Sequence, residues 1–110
     1  MNKFKAKKVI IDGITFDSIK EGNYYTQLKI QKNATKPQKK VIEINLHPRF
    51  DIIINKKKIG FYKADFEVLF EDGHKEVIDV KGCRKGCAYQ LFALKKKLVE
   101  ALYNIEIIEK

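Results

Sequence analysis

The chain has only two cysteines, Cys83 and Cys87, among its 110 residues. Four residues apart and without a second ligand pair, they do not make a structural zinc site; His47 and His74 are distant in sequence. Reduced thiols are the expected state. With 45% hydrophobic residues the chain can build a modest core without disulfide staples. No apolar run is long enough to span a bilayer, and no hydrophobic leader precedes a small-residue cleavage site. The expectation is a soluble protein of the cytoplasm, with no membrane partner. Internal repeats, low-complexity segments and linkers are also missing, so residues 1–110 read as a single domain. Acidic residues are in deficit, 14 against 23 Lys and Arg, giving a net charge of +9. That excess suits a polyanionic partner, although a merely soluble basic protein has the same balance.

The elements follow from turn residues and periodicity. Residues 1–8 form a basic arm with Lys3, Lys5, Lys7 and Lys8, either a nucleic-acid backbone contact or a solvated terminus. Val9–Ile11 and Ile14–Phe16 around Asp12-Gly13 predict a short hairpin. A helix is predicted from Ser18 to about Gln31. Strands are predicted over Val41–Leu46 and Phe50–Ile54, broken at His47-Pro48, then a turn over Asn55–Gly60. Further strands are predicted over Phe61–Phe70 and Lys75–Lys81, a helix over about Ala88–Tyr103, and a last strand over Ile105–Ile108. In the second helix Leu91, Leu94, Leu98 and Leu102 form a stripe with Phe92, Val99 and Tyr103 beside it, which predicts a core-facing surface.

Asp65 and the pair Asp79 and Lys81 carry the chemistry. Tyr62, Ala64, Phe66, Val68 and Phe70 predict one apolar face, leaving Lys63, Asp65 and Glu67 on the other. In the next strand Val77, Asp79 and Lys81 share a face. A three-residue Glu71-Asp72-Gly73 loop with Gly73 left-handed pairs Phe70 with His74 and sets Asp65 opposite Asp79. A two-residue loop would set Asp65 opposite Val80 instead, and the constellation would fail without a bulge. Carboxylates side by side repel and need a cation between them. An acid inside so apolar a run carries a desolvation cost that function can justify.

Glu21 allows two readings. Ser18-Ile19-Lys20-Glu21 fits a capping box, with Glu21 bonded back to the helix start. Glu21 also shares a helical face with Tyr24, Tyr25 and Leu28, where a carboxylate could reach the edge of a metal site. The glycine-containing loop from Lys81 to Cys87 leaves backbone amides open to a phosphate, and equally suits a plain flexible turn.

Together Glu21, Ala64-Asp65 and Asp79-Val80-Lys81, on a helix–three-strand–helix–strand order, resemble the PD-(D/E)xK nuclease superfamily. The segments Asp12-Gly13-Ile14, Phe16-Asp17-Ser18, Ala64-Asp65-Phe66 and Asp79-Val80-Lys81-Gly82 are similar to a small phage-encoded branch related to Holliday-junction resolvases. Ala64 replaces the proline of the motif, and Asp79 the more usual glutamate. Gln90 is compatible with an exonuclease-type variant, but Leu94 stands where its tyrosine would be.

The resemblance implies an α/β (α+β) fold, with a restriction-endonuclease-like core, a mixed central sheet and the N-terminal hairpin in front. It implies a metal-dependent endonuclease acting on DNA, branched or structured DNA above all, as a homodimer, in the bacterial host's cytoplasm if phage-encoded. Asp65, Asp79, the carbonyl of Val80 and Glu21 would hold Mg²⁺, with Mn²⁺ able to substitute. Lys81 would position the attacking water or stabilise charge, and Lys3, Lys5, Lys7, Lys8, Lys63, Arg84, Lys85, Lys95 and Lys96 would contact the DNA. A nickase, an end-processing or restriction-like enzyme on the same frame, and a non-catalytic DNA-binding protein are the alternatives.

Overall fold

The computed structural model describes residues 7–82 and 85–110. Lys3, Lys5, Cys83 and Arg84 therefore lie outside the described residues. The fold is mixed α+β. Strands β1 (Val9–Ile11) and β2 (Ile14–Phe16) form the N-terminal hairpin. Its turn places Asp12 and Gly13 at φ +53° and +76°, the backbone a two-residue hairpin loop requires. Helix α1 (Ile19–Ile30) follows, with Ser18 as its N-cap: Ser18 Oγ accepts from the Glu21 N–H at 3.0 Å. The helix lies close on the hairpin at Gly22, where a Cβ would come within 2.7 Å of Val9 Cγ2. A single 3-10 turn (Gln31–Asn33) ends the helix.

Between α1 and the second helix run five strands: β3 (Val41–Leu46), β4 (Arg49–Ile54), β5 (Lys57–Lys63), β6 (Phe66–Phe70) and β7 (Lys75–Asp79). Helix α2 (Gly86–Tyr103) and strand β8 (Ile107–Glu109) complete the chain. The central sheet has the order β3-β6-β7-β8, with β8 parallel to β7 and the other pairs antiparallel. Strands β4 and β5 pair only with each other, as an extra hairpin between β3 and β6. Its turn is confined to Asn55 and Lys56, both at positive φ, so the turn expected over Asn55–Gly60 gives way to strand from Lys57 onward.

The strand expected over Phe61–Phe70 is broken at Ala64-Asp65. Because β5 belongs to the hairpin and β6 to the central sheet, the chain reorients there, and the expected single apolar face is divided. Tyr62 and Ala64 join a core with Ile52, Val77, Phe92, Val99 and Ile107, on the α2 side. Phe66, Val68 and Phe70 join Phe16, Leu28, Val41 and Ile78 on the α1 side. Each of these side chains is buried; truncating one such as Ile78 to Ala costs about 2–5 kcal/mol.

The leucine stripe of α2 is a second correction. Leu91, Leu94 and Leu102 are 54%, 56% and 44% exposed, whereas Phe92 and Val99 are buried. The sheet-facing line therefore runs through Phe92 and Val99, with Tyr89 and Leu98 partly buried beside it. Among the described residues no helix is long and apolar enough to cross a membrane.

Candidate active site

The tip of the β6–β7 hairpin sets the register of its open end. Gly73 is left-handed at φ +95°, and the Phe70 N–H donates to the His74 carbonyl at 3.0 Å. Phe66 consequently pairs with Ile78, and one step further Asp65 falls beside Asp79. The Asp65 N–H donates to the Ile78 carbonyl, and Asp65 Oδ2 accepts the Val80 N–H at 2.7 Å. Asp79 is the last residue of β7 and is 4% exposed. Lys81 lies just past the strand end, with its Nζ 3.3 Å from Asp79 Oδ1 and 3.7 Å from the centre of the Phe92 ring. Lys20 Nζ donates to the Lys81 carbonyl at 2.7 Å, tying α1 to this loop.

Two further residues meet here. The Tyr62 hydroxyl donates to Asp79 Oδ2. Burial, and then this bond to Asp79, holds the Tyr62 phenol far above its ordinary range. His47 enters from the end of β3, where it has the left-handed φ of +53° and its N–H donates to the Asp65 carbonyl at 3.0 Å. The Ala64 N–H returns to the Pro48 carbonyl at 3.1 Å, so the His47-Pro48 break is fastened to the Ala64-Asp65 break. One carboxylate oxygen of Glu21, one ring nitrogen of His47 and one carboxylate oxygen of Asp65 lie within 4.8 Å of one another. Sequence reasoning missed both residues. Strict alternation puts Tyr62 on the face opposite Asp65, which the reorientation at Ala64 overturns. His47 had a signal: it ends the strand that pairs with the one following Asp65.

The electrostatics are those of a crowded, poorly solvated acidic cluster. Burial pushes the Asp65 carboxyl up to about 7, with the Asp79 and Glu21 charges adding to the rise and the Val80 N–H opposing it. Glu21, 6% exposed, is also held above the ordinary carboxylate range, by burial first and then by Asp17; His47 offsets part of this. Among the described residues, Glu21 Oε1 is buried without a hydrogen-bond partner. The capping box is thus only half formed: Ser18 caps the helix, but this oxygen of Glu21 is not spent on it. A buried carboxylate oxygen with no donor is costly, and a cation satisfies it. The donor set of Glu21, Asp65 and His47 therefore fits a divalent metal ion.

A cleft of about 300 Å³ opens beside Asp65 and Asp79, between β5 and α2. Asp65, Asp79, Lys81 and Tyr62 form part of its wall, and Phe61, Lys63, Leu91 and Lys95 form its mouth. Of the other basic residues expected to contact DNA, Lys7, Lys8 and Lys85 are exposed, whereas Lys96 pairs with Glu109 at 3.0 Å.

This is a mixed α+β domain in which buried Glu21 and Asp79, half-buried Asp65 and Lys81, and the exposed His47 gather at the open end of a hairpin. Over residues 1–107 the chain matches the family described as "Protein of unknown function (DUF1064)", and it belongs to that family. No curated protein and no solved structure matches it.

Proposed function

We propose that the protein is a divalent-metal-dependent endonuclease that hydrolyses phosphodiester bonds in DNA, with branched or structured DNA as its substrate. The observation that carries this reading is the convergence of Glu21, Asp65, Asp79 and Lys81 on one region, with a buried Glu21 oxygen left without a donor. Isolated binding to DNA gives no reason to bury acids beside the groove; hydrolysis of a phosphodiester does.

Mg²⁺ or Mn²⁺ held by Asp65 and Glu21, with Asp79 and the Val80 carbonyl beside them, would supply Lewis-acid chemistry, neutralising a phosphate oxygen and lowering the pKa of an attacking water. The residues divide the remaining work. Val80 N–H fixes Asp65 and Tyr62 fixes Asp79, so neither carboxylate is free to turn away. Lys81, seated on the Phe92 ring, carries a cation to where negative charge develops on the phosphoryl group. Lys63 and Lys95 at the cleft mouth suit the flanking phosphates. The net charge of +9 favours a backbone-led interaction, and no recognition helix or zinc finger supplies base readout. A homodimer would present two such centres to the symmetric strands of a junction.

The test is cleavage of a four-way junction, a nicked duplex, a linear duplex and a single strand, with Mg²⁺, Mn²⁺ or EDTA. Metal-dependent cutting of the junction, lost in Asp79→Asn and Lys81→Ala, is the expected result. Tight binding by all three proteins with no cutting would leave a non-catalytic DNA-binding protein.

A further inference from the structure

We infer that His47 is a metal ligand, and that Glu21, His47 and Asp65 together form a mixed nitrogen–oxygen site that takes a first-row transition ion, Mn²⁺ among them, in preference to Mg²⁺. The inference rests on the reading above in taking Glu21 and Asp65 as metal ligands, and it adds which ion they select.

Three observations converge on it. The first is proximity: the donor atoms of the three side chains lie within 4.8 Å of one another. Donors on opposite sides of a small divalent ion are separated by about 4.2 Å, twice a bond of roughly 2.1 Å. Adjacent donors on such an ion stand nearer, about 3 Å apart in octahedral geometry, so binding draws the three side chains together by up to roughly 2 Å. The second is the Glu21 carboxylate, nine-tenths buried with Oε1 lacking any donor. The third is the backbone of His47. A non-glycine residue at φ +53° is sparsely populated, and here hydrogen bonds to Asp65 and from Ala64 to Pro48 hold it there. That conformation ends β3 with a ring nitrogen of the imidazole delivered to the acids.

The ligand types decide the ion. Mg²⁺ takes oxygen donors and keeps several waters, so an imidazole adds little to its binding. Imidazole nitrogen favours first-row transition ions, with affinity rising from Mn²⁺ onward along that series. The other histidine of the chain offers no comparable site. His74 is already bonded through both ring nitrogens, to Asp72 and Glu76, on an exposed turn.

The experiment is electron spin-echo envelope modulation of Mn²⁺ added to metal-free protein, with competition by Mg²⁺ measured in parallel. Wild type and His74→Gln should show imidazole-nitrogen modulation. His47→Asn, which keeps a residue tolerant of the left-handed backbone, should lose that modulation and bind Mn²⁺ on the order of tenfold more weakly while its Mg²⁺ affinity changes little. Wild-type Mn²⁺ without nitrogen modulation, or an unchanged Mn²⁺-to-Mg²⁺ preference in His47→Asn, would overturn the inference. Because the readout is the bound ion, a protein that shows the modulation but cuts no DNA would refute the nuclease reading and leave this site standing.

Discussion

The two ends of the β6–β7 hairpin carry the same kinds of residue in opposite electrostatic states. At the tip, exposed Asp72 and half-buried His74 and Glu76 satisfy one another: His74 bridges both carboxylates. Hydrogen bonds from the His74 backbone and ring hold the Asp72 carboxyl below its ordinary value, and the bond to Asp72 raises His74. At the open end, Asp65, Asp79 and Glu21 are held in poorly solvated positions with the exposed His47 at their edge, and burial raises Asp65 and Glu21. The tip is complete as it stands, whereas the open end has an acid excess that protons or a cation must neutralise. Composition alone would rank the two clusters equally; burial separates them.

Cleavage should expose the difference most strongly. Asp65→Asn and Lys81→Ala should each lower the rate by roughly 100–1,000-fold, while Asp72→Asn leaves it within about twofold. Single-turnover kinetics on a junction substrate would measure both, and equal losses at the two ends would dissolve the distinction. Tyr62→Phe should cost about tenfold in rate and about 1–3 kcal/mol in stability, because Asp79 keeps its burial but loses a donor. Urea denaturation beside the rate measurement checks the pair of effects.

Without metal, Asp65→Asn and Asp72→Asn should have opposite effects on stability. Above about pH 7 the folded chain must hold Asp65 ionised against its surroundings. Asp65→Asn should then raise the Tm of the metal-free protein by about 5 °C, what roughly 1 kcal/mol yields in a domain of this size. Asp72→Asn removes satisfied hydrogen bonds and should lower the Tm slightly. Calorimetry in EDTA distinguishes the two directions.

The pH profile gives the finest comparison. Asp65 has an ordinary value of 3.8 in the unfolded chain and about 7 in the folded one, so the folded state holds the extra proton between them. Its contribution to the metal-free protein therefore falls as pH rises from about 4 to about 7. Asp72 has the opposite sign: its folded value is lowered, and its contribution is lost as pH falls through that value. Asp65→Asn should flatten the first limb and Asp72→Asn the second.

Much of this was legible in the residues, because it depends on neighbours in sequence. Ser18 and Asp12-Gly13 mark α1 and the first hairpin, and counting across Glu71-Asp72-Gly73 places Asp65 beside Asp79. The helix–strand order of the central sheet follows from the same punctuation. What failed to show depends on tertiary placement. The division of the apolar face at Ala64 arises because β4 and β5 leave the sheet, and no periodicity records which sheet a strand joins. Leu91, Leu94 and Leu102 look like core by spacing, but the sheet meets α2 along Phe92 and Val99. His47 is remote in sequence from Glu21, Asp65 and Asp79 and reaches them through the pairing of β3 with β6.

The most direct test of the comparison is calorimetric titration of Mn²⁺ into metal-free wild type, Asp65→Asn and Asp72→Asn. The open end is the metal centre if wild type and Asp72→Asn show the same saturable binding and Asp65→Asn shows none. Undiminished binding in Asp65→Asn, or loss of binding in Asp72→Asn, would contradict the assignment.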